Sequence, residues 1–445
     1  MKTELKNTLE KIINFSNDFG ADQCDAILSK GESFSLSAQN SEIDKYKVSG
    51  AQVIGVRAIK DSKVGISYTE SFDEESLKIA AKSAVENAIN SEVNEFEKIN
   101  TTEGEFIFES EFQKDTTSTE EKIEFCLKLE SEVKARDSRV QSVPYNGLSE
   151  SESASYYLNS NGVLGYSSEY YQSCYTSALL QEGAESSMHY HGVIGRKLSD
   201  LNVDECVTES LTHASEWMKA KPLSTGNYDI IFELDAFSEI LGCFSSIFSG
   251  KGAMEKTNPF LEKMGKQVAG SGITISDIPK YKEAFFVSHF DSEGIPHKDL
   301  TLIENGVLKS FYHNSATANY FKLSSTGHAS RGAKSALGVG GTTKVISAGN
   351  TSASDIVSGE YFEVHSLQGL HSGANSVSGE FSFAASGYLC REGKRVQPVK
   401  GVTVSGNFHK MLLDINIIGD SVLSTHDRGF FSPKLRFENM SVAGA

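Results

Sequence analysis

Residues 235–250 read DAFSEILGCFSSIFSG and set one carboxylate, Glu239, between a hydroxyl, Ser238, and a thiol, Cys243. Three chemistries use such groups. A zinc hydrolase helix needs two histidines one turn apart, so that both imidazoles reach one ion while a glutamate activates the bound water. A hydroxyl is a poor zinc ligand and a lone thiolate does not complete a site, so Ser238 and Cys243 do not replace that pair. A cysteine nucleophile needs a base and an electropositive setting, whereas a neighbouring carboxylate raises a thiol pKa. The remaining reading is a packed helix with a polar outer face, and the spacing favours it. Phe237, Ile240, Leu241, Phe244, Ile247 and Phe248 recur at helical intervals as a full apolar stripe. Asp235 suits the N-cap and Gly250 a left-handed C-terminal cap. Glu239, Gly242 and Ser246 fall opposite the stripe, flanked by Ser238 and Cys243.

A second constellation is HFDSEGIPH (289–297), with His289, Asp291, Glu293 and His297 within one short stretch. Imidazole and carboxylate together suit several divalent ions. A turn at Glu293–Gly294, with its acids solvated or capping nearby amides, is the plainer reading, since no regular spacing converges the four side chains. HYH (189–191) places two histidines on one face of a strand, read as an exposed ribbon. SALGVGGTTK (335–344) lacks the Gly-Lys-Ser/Thr ending of a phosphate loop, and no G-x-S-x-G elbow supports a serine hydrolase.

These residues need elements to position them. At 445 residues, two or three domains are expected, and 39% hydrophobic with 23% charged content fits a folded globular protein. Glycine divides the chain, with 12 of 38 before residue 223 and 26 after it, and KAKPLSTGN (219–227) marks the seam. We place an N-terminal α+β domain at 1–222 and a C-terminal β-rich domain at 223–445. In the first, Leu5, Leu9, Ile12 and Phe19 mark an amphipathic helix. DAILS (25–29), FSLSAQ (34–39), AQVIGVRAI (51–59) and KVGISYT (63–69) read as strands, with KDS as a hairpin link between the last two. Ser71 with Glu74, and Ser118 with Glu121, are capping-box patterns that open helices at 73–91 and 120–136. Strands return over 139–196 with a turn at NSNG (159–162), before a helix over 203–220. The fold class is α+β, helices laid on mainly antiparallel sheet. The second half begins with the strand YDIIFEL (228–234). Many short strands follow, with turns at ENG (304–306) and REGK (391–394), a helix at 409–416 and a final strand in KLRFENMSVAG. This pattern predicts a large curved or barrel-like sheet.

Charge narrows the function. The formal net charge is −17, from 59 acidic and 42 basic residues, and 18 acids against 7 bases lie between Ile66 and Ala135. With no basic cluster to offset it, this balance repels phosphate backbones and argues against nucleic-acid binding. No apolar run reaches membrane-spanning length, and MKTELKNTLEKIINF does not read as a signal peptide. Six scattered cysteines without a CxxC pair point to reduced thiols and a cytoplasmic location.

The second half resembles the TldD/PmbA family, and within it the PmbA (TldE) branch. The matching phrases, in order, are FDSEGIP (290–296), LIENGVLKSF (302–311), the STGHASRG region (325–332), GEFSFAASGYLCREGK (379–394), VTVSGNFHKMLLDINIIGD (403–420) and SPKLRFENMSVAG (432–444). The resemblance implies a two-subunit metalloprotease that acts on unstructured peptides in peptide maturation and removal. Its active TldD-type subunit carries an HExxxH zinc helix and a zinc-binding cysteine near the C-terminus. Laid on that helix, SEILGC puts Ser238 and Cys243 at the histidine places and Glu239 at the glutamate. No HExxxH or HExxH occurs in this chain, and STHDRGFFSPKL (424–435) contains no cysteine. The resemblance therefore implies a non-catalytic subunit with no cofactor of its own, the zinc being in a TldD-type partner. Two-fold pairing with that partner or with itself is expected. Two rivals stand beside it. One is a metallopeptidase in its own right, with a metal site such as His289, Asp291, Glu293 and His297. The other is a self-associating peptide-binding or regulatory protein without a protease partner.

Overall fold

The computed structural model describes residues 3–101 and 104–445. From the N-terminus the chain runs through α1 (Thr3–Asp18), the long hairpin strands β1 (Gln23–Gln39) and β2 (Glu42–Lys60), β3 (Lys63–Thr69) and α2 (Glu74–Asn90). There follow β4 (Glu105–Phe108), α3 (Thr119–Arg136), β5 (Val140–Ser142), β6 (Asn146–Asn159), β7 (Leu164–Glu182), β8 (Glu185–Gly195) and α4 (Val203–Trp217). Next are β9 (Gly226–Phe232), α5 (Leu234–Cys243), α6 (Gly250–Met254), β10 (Ile275–Asp277), β11 (Leu300–Glu304), β12 (Val307–Leu308) and α7 (Ser315–Phe321). After the short strands β13 (Ala329–Ser330), β14 (Gly338–Val339) and β15 (Lys344–Ile346) come the longer β16 (Glu360–Gln368), β17 (Glu380–Arg391) and β18 (Lys394–Asn407). The chain closes with α8 (Phe408–Asp414), β19 (Ile417–Ser424) and β20 (Phe430–Ala443). No described helix is long and apolar enough to cross a membrane.

The chain forms two compact units. The first takes the residues up to Met218 together with His289–Pro296 and Asn314–Gly338; the second takes Lys219–Ser288, His297–His313 and Val339–Ala445. Two excursions of the C-terminal half thus belong to the first unit.

In the first unit the sheet order is β3-β2-β1-β6-β7-β4, with β5 and β8 also paired to β7. DAILS and FSLSAQ do not form separate strands. They run together in β1, because β2 and β6 pair with it on either side and satisfy its backbone throughout. Asp61 and Ser62 turn the β2–β3 link with φ of 50° and 59°, the left-handed pair that a two-residue hairpin needs. Helices α1 and α2 bury Leu9, Ile12, Ala81 and Ala84 against Ala26, Leu28, Ile54 and Val56. Each fully buried leucine or isoleucine there contributes about 1.5–3 kcal/mol. Gly65 permits the close approach: a Cβ there would lie 2.1 Å from the Ala84 carbonyl oxygen of α2. Ser118 and Glu121 form the reciprocal capping box at the start of α3. Ser71 does not cap α2. Asp73 is the N-cap, its carboxylate accepting from the Ser76 amide, because it stands directly before the first helical residue. HYH lies on β8, but its histidine face is not an exposed ribbon: the His189 ring meets His213 and Trp217 of α4 edge-on, each at 4.9 Å.

In the second unit β9, β16, β17, β18 and β20 form a closed ring, since β20 pairs with both β18 and β9. Ser441 shows the closure, lying opposite Ser405 on one edge and Asn227 on the other. Closure removes the free edges that an open sheet presents. Beyond the ring, β20 extends to pair with β15 and β19. The turns at Asn305–Gly306 and Glu392–Gly393 both adopt positive φ.

Candidate functional site

Strand β9 delivers the chain to Glu233, the N-cap of α5. The apolar stripe is buried as its spacing requires. Phe244 stacks on Phe408 at 4.5 Å, and Phe237 packs against Phe430 and Phe437. The helix is shorter than the stripe. It ends at Cys243, a 3-10 turn covers Ser245–Phe248, and Gly250 opens α6 instead of ending α5 in a left-handed cap. The cause is close packing: a Cβ on Gly250 would stand 2.3 Å from the Tyr312 carbonyl oxygen, and the Gly250 amide donates to that oxygen. Asp235 lies inside the first turn and accepts from the His426 amide.

On the outer face Glu239 is exposed, with Ser238 and Cys243 half-buried. The Cys243 thiol donates to the Leu370 carbonyl at 3.9 Å. Partial burial and then the Glu239 charge push this thiol up, which keeps it protonated and weakly nucleophilic. Burial and Asp235 push Glu239 up as well. Among the described residues, neither Glu239 nor Cys243 belongs to a group of three potential ligands close enough to share an ion.

The four residues of HFDSEGIPH do not converge either. In the first unit the His289 ring stacks on Phe108 at 3.9 Å. Buried Asp291 accepts from the backbone amides of Glu293, Ile295 and Ala329, and burial with the nearby Glu293 charge raises it to about 7. Glu293 is fully buried, pairs with Arg57 at 3.2 Å and accepts from Ser315. His297 belongs to the second unit. Metal ligation is thus overturned for this set, because its carboxylates are spent on amides and guanidinium.

The sequence reading missed what Glu293 joins. Asp25 of β1 faces Arg57 of β2, and both are fully buried with Glu293. Arg57 also reaches Glu97 at 2.8 Å, Tyr157 donates to Asp25, and Arg331 adds a second guanidinium to Asp25. This network ties both excursions of the C-terminal half into the first unit. Its visible signal was a lone charge within each of two apolar strand runs, DAILS and AQVIGVRAI.

A second missed cluster lies in the second unit. Glu363 and His365 alternate on β16, and their side chains meet at 2.8 Å, Oε1 to Nε2. Arg395 of β18 approaches both at 3.0 Å, and Glu233 Oε1 stands 4.0 Å from His365 Nε2. Burial pushes Glu363 up, but His365, Arg395 and Lys434 outweigh it and hold the carboxyl at about 2. The alternation in YFEVHSL was the available signal.

Three family profiles cover most of the chain. They are the PmbA/TldA metallopeptidase domain 1 at 24–88, the central domain at 113–216 and the C-terminal domain at 225–444. The chain belongs to the PmbA/TldD metallopeptidase family. Among its relatives, an uncharacterised protein of Methanocaldococcus jannaschii is 28% identical, with 93% of this chain and 95% of that protein covered. A Metalloprotease PmbA homolog of Haemophilus influenzae is 23% identical, with 99% and 96% covered. Among solved structures, TldE from Thermococcus kodakarensis superposes with a TM-score of 0.82 at 21% identity, covering 98% of this chain and 100% of that one. A structure from Thermotoga maritima gives 0.86 at 23%, covering 99% and 100%. At these identities the structures speak to the fold alone.

A PmbA/TldD metallopeptidase implies a zinc ion, and the donors at α5 do not fit one. A hydroxyl, an exposed carboxylate and a protonated thiol stand where the resemblance places the ligands. Three good N, O or S donors on one ion are the usual minimum for catalytic zinc.

Proposed function

We propose that this member of the PmbA/TldD family is a non-catalytic, PmbA-type subunit that supports a zinc-bearing TldD-type protease acting on unstructured peptides. One observation carries the reading: the outer face of α5 keeps its packing but presents Ser238, Glu239 and Cys243 in place of a histidine pair. Partner contact is the retained role, through a two-fold arrangement with a TldD-type chain. The Haemophilus influenzae relative named a metalloprotease PmbA homolog is consistent with it.

The test mixes the purified chain with a TldD-type protein and an unfolded peptide. The expected result is cleavage that needs both chains and survives Glu239→Gln in this one. Cleavage by this chain alone, lost in Glu239→Gln, would overturn the proposal in favour of a metallopeptidase in its own right. Failure to associate with any TldD-type chain would favour the regulatory, self-associating alternative.

A further inference from the structure

We propose that Glu233, Glu363 and His365 form a binding site for a divalent first-row transition ion of the Zn2+ class, and that Arg395 is the resident cation there when no ion is bound. The site is separate from the outer face of α5 and goes beyond the subunit reading. One ligand atom from each of the three residues lies within 4.8 Å of the other two.

The backbone sets this grouping. Strands β9 and β16 run parallel with Ile231 opposite Glu363 and Phe232 opposite Val364, and the Glu233 amide donates to the Val364 carbonyl at 2.8 Å. Glu233 therefore arrives beside His365 on the neighbouring strand. Its carboxylate makes no capping bond to α5, although it occupies the N-cap position. The side chain is left aimed at the imidazole.

The contacts of His365 Nε2 point to a missing cation. That nitrogen lies 2.8 Å from a Glu363 oxygen, which only accepts, and 3.0 Å from an Arg395 nitrogen, which only donates. With a proton, Nε2 satisfies Glu363 and opposes Arg395. Without one, it accepts from Arg395 and opposes Glu363. Either state leaves one short contact mismatched. A metal ion in place of the guanidinium removes the conflict, because the Nε2 lone pair and both carboxylates then face one positive centre. One imidazole with two carboxylates suits Zn2+, Co2+ or Mn2+ better than Mg2+, and three protein ligands leave positions open for water.

Arg395 can leave at low cost. Its side chain is 40% exposed and lies over the Tyr388 ring at 4.2 Å, near the β17–β18 turn at Glu392–Gly393. Lys434 adds positive charge near Glu363 and would weaken, without blocking, cation entry.

The experiment titrates the full-length chain with Co2+, read by its d–d absorption, then displaces it with Zn2+, using Mg2+ as the control. The expected result is one Co2+ per chain, displaced by Zn2+ and not by Mg2+. Arg395→Gln should tighten binding about tenfold, whereas His365→Ala and Glu233→Gln should each weaken it about tenfold or more. Glu233 is partly exposed, so its variant keeps the test valid if His365→Ala folds poorly, and thermal melting checks both. Binding unchanged in Glu233→Gln and His365→Ala would show an ion held elsewhere and overturn the proposal. So would Arg395→Gln that gives no Co2+ spectrum. Neither result bears on cleavage with a TldD-type chain.

Discussion

Asp25 and Arg57 are register partners across the β1–β2 ladder, and their side chains meet at 2.5 Å with no solvent exposure on either. Arg57 spans the distance from this local pair to Glu293, more than 200 positions away, and so joins a hairpin to a segment of the other half of the chain.

Removing the guanidinium should therefore be costly. Arg57→Met leaves Asp25 and Glu293 buried without their main cation, and breaking a buried pair in this way costs about 3–5 kcal/mol. Urea unfolding is the measurement. A loss under about 0.5 kcal/mol would mean that Arg331 alone neutralises the site.

Asp291 predicts a pH dependence of unusual sign. Its folded pKa is raised to about 7 from an ordinary 3.8, so the folded state holds a proton that the unfolded state releases. Its contribution is present at low pH and is lost as pH rises from about 4 through 7, on the order of 4 kcal/mol in all. Asp291→Asn keeps an acceptor for the Glu293 and Ile295 amides and removes the titration. Unfolding free energies at pH 5 and pH 8 should thus differ less in the variant than in the parent. Equal slopes in the two proteins would show that Asp291 does not titrate this way.

The two faces of α5 should respond differently to substitution. Phe244→Ala opens a cavity against Phe408 and Phe381 and should cost roughly 3–5 kcal/mol. Glu239→Gln, on the exposed face, should stay within about 0.5 kcal/mol in thermal melts. A large loss in the second variant would place the carboxylate in a structural role that its exposure does not suggest.

Caps give a local test. Ser118→Ala removes the hydroxyl that accepts from the Glu121 amide and should cost about 1 kcal/mol. Ser71→Ala should cost less, since Asp73 continues to cap α2 through the Ser76 amide. The reverse order in chemical denaturation would restore Ser71 as the functional cap.

Sequence alone determined the features whose causes lie within a few residues. The α3 capping box, the hairpin turns at 61–62 and 392–393 and the apolar stripe of α5 all follow from local spacing and backbone preference. The absence of a histidine pair on that helix is equally local, because zinc chemistry is written in residue types one turn apart. Tertiary structure decided the rest. Asp291 and Glu293 read as possible ligands until folding brought Arg57, Ser315 and three backbone amides to them, and no pattern within nine residues encodes partners that distant. Glu233, Glu363, His365 and Arg395 come from three strands, so only the pairing of β9 with β16 and the neighbouring β17–β18 hairpin make them one cluster. Where α5 stops was also non-local: the stripe continues to Phe248, but the Tyr312 carbonyl meets Gly250 and turns the chain first.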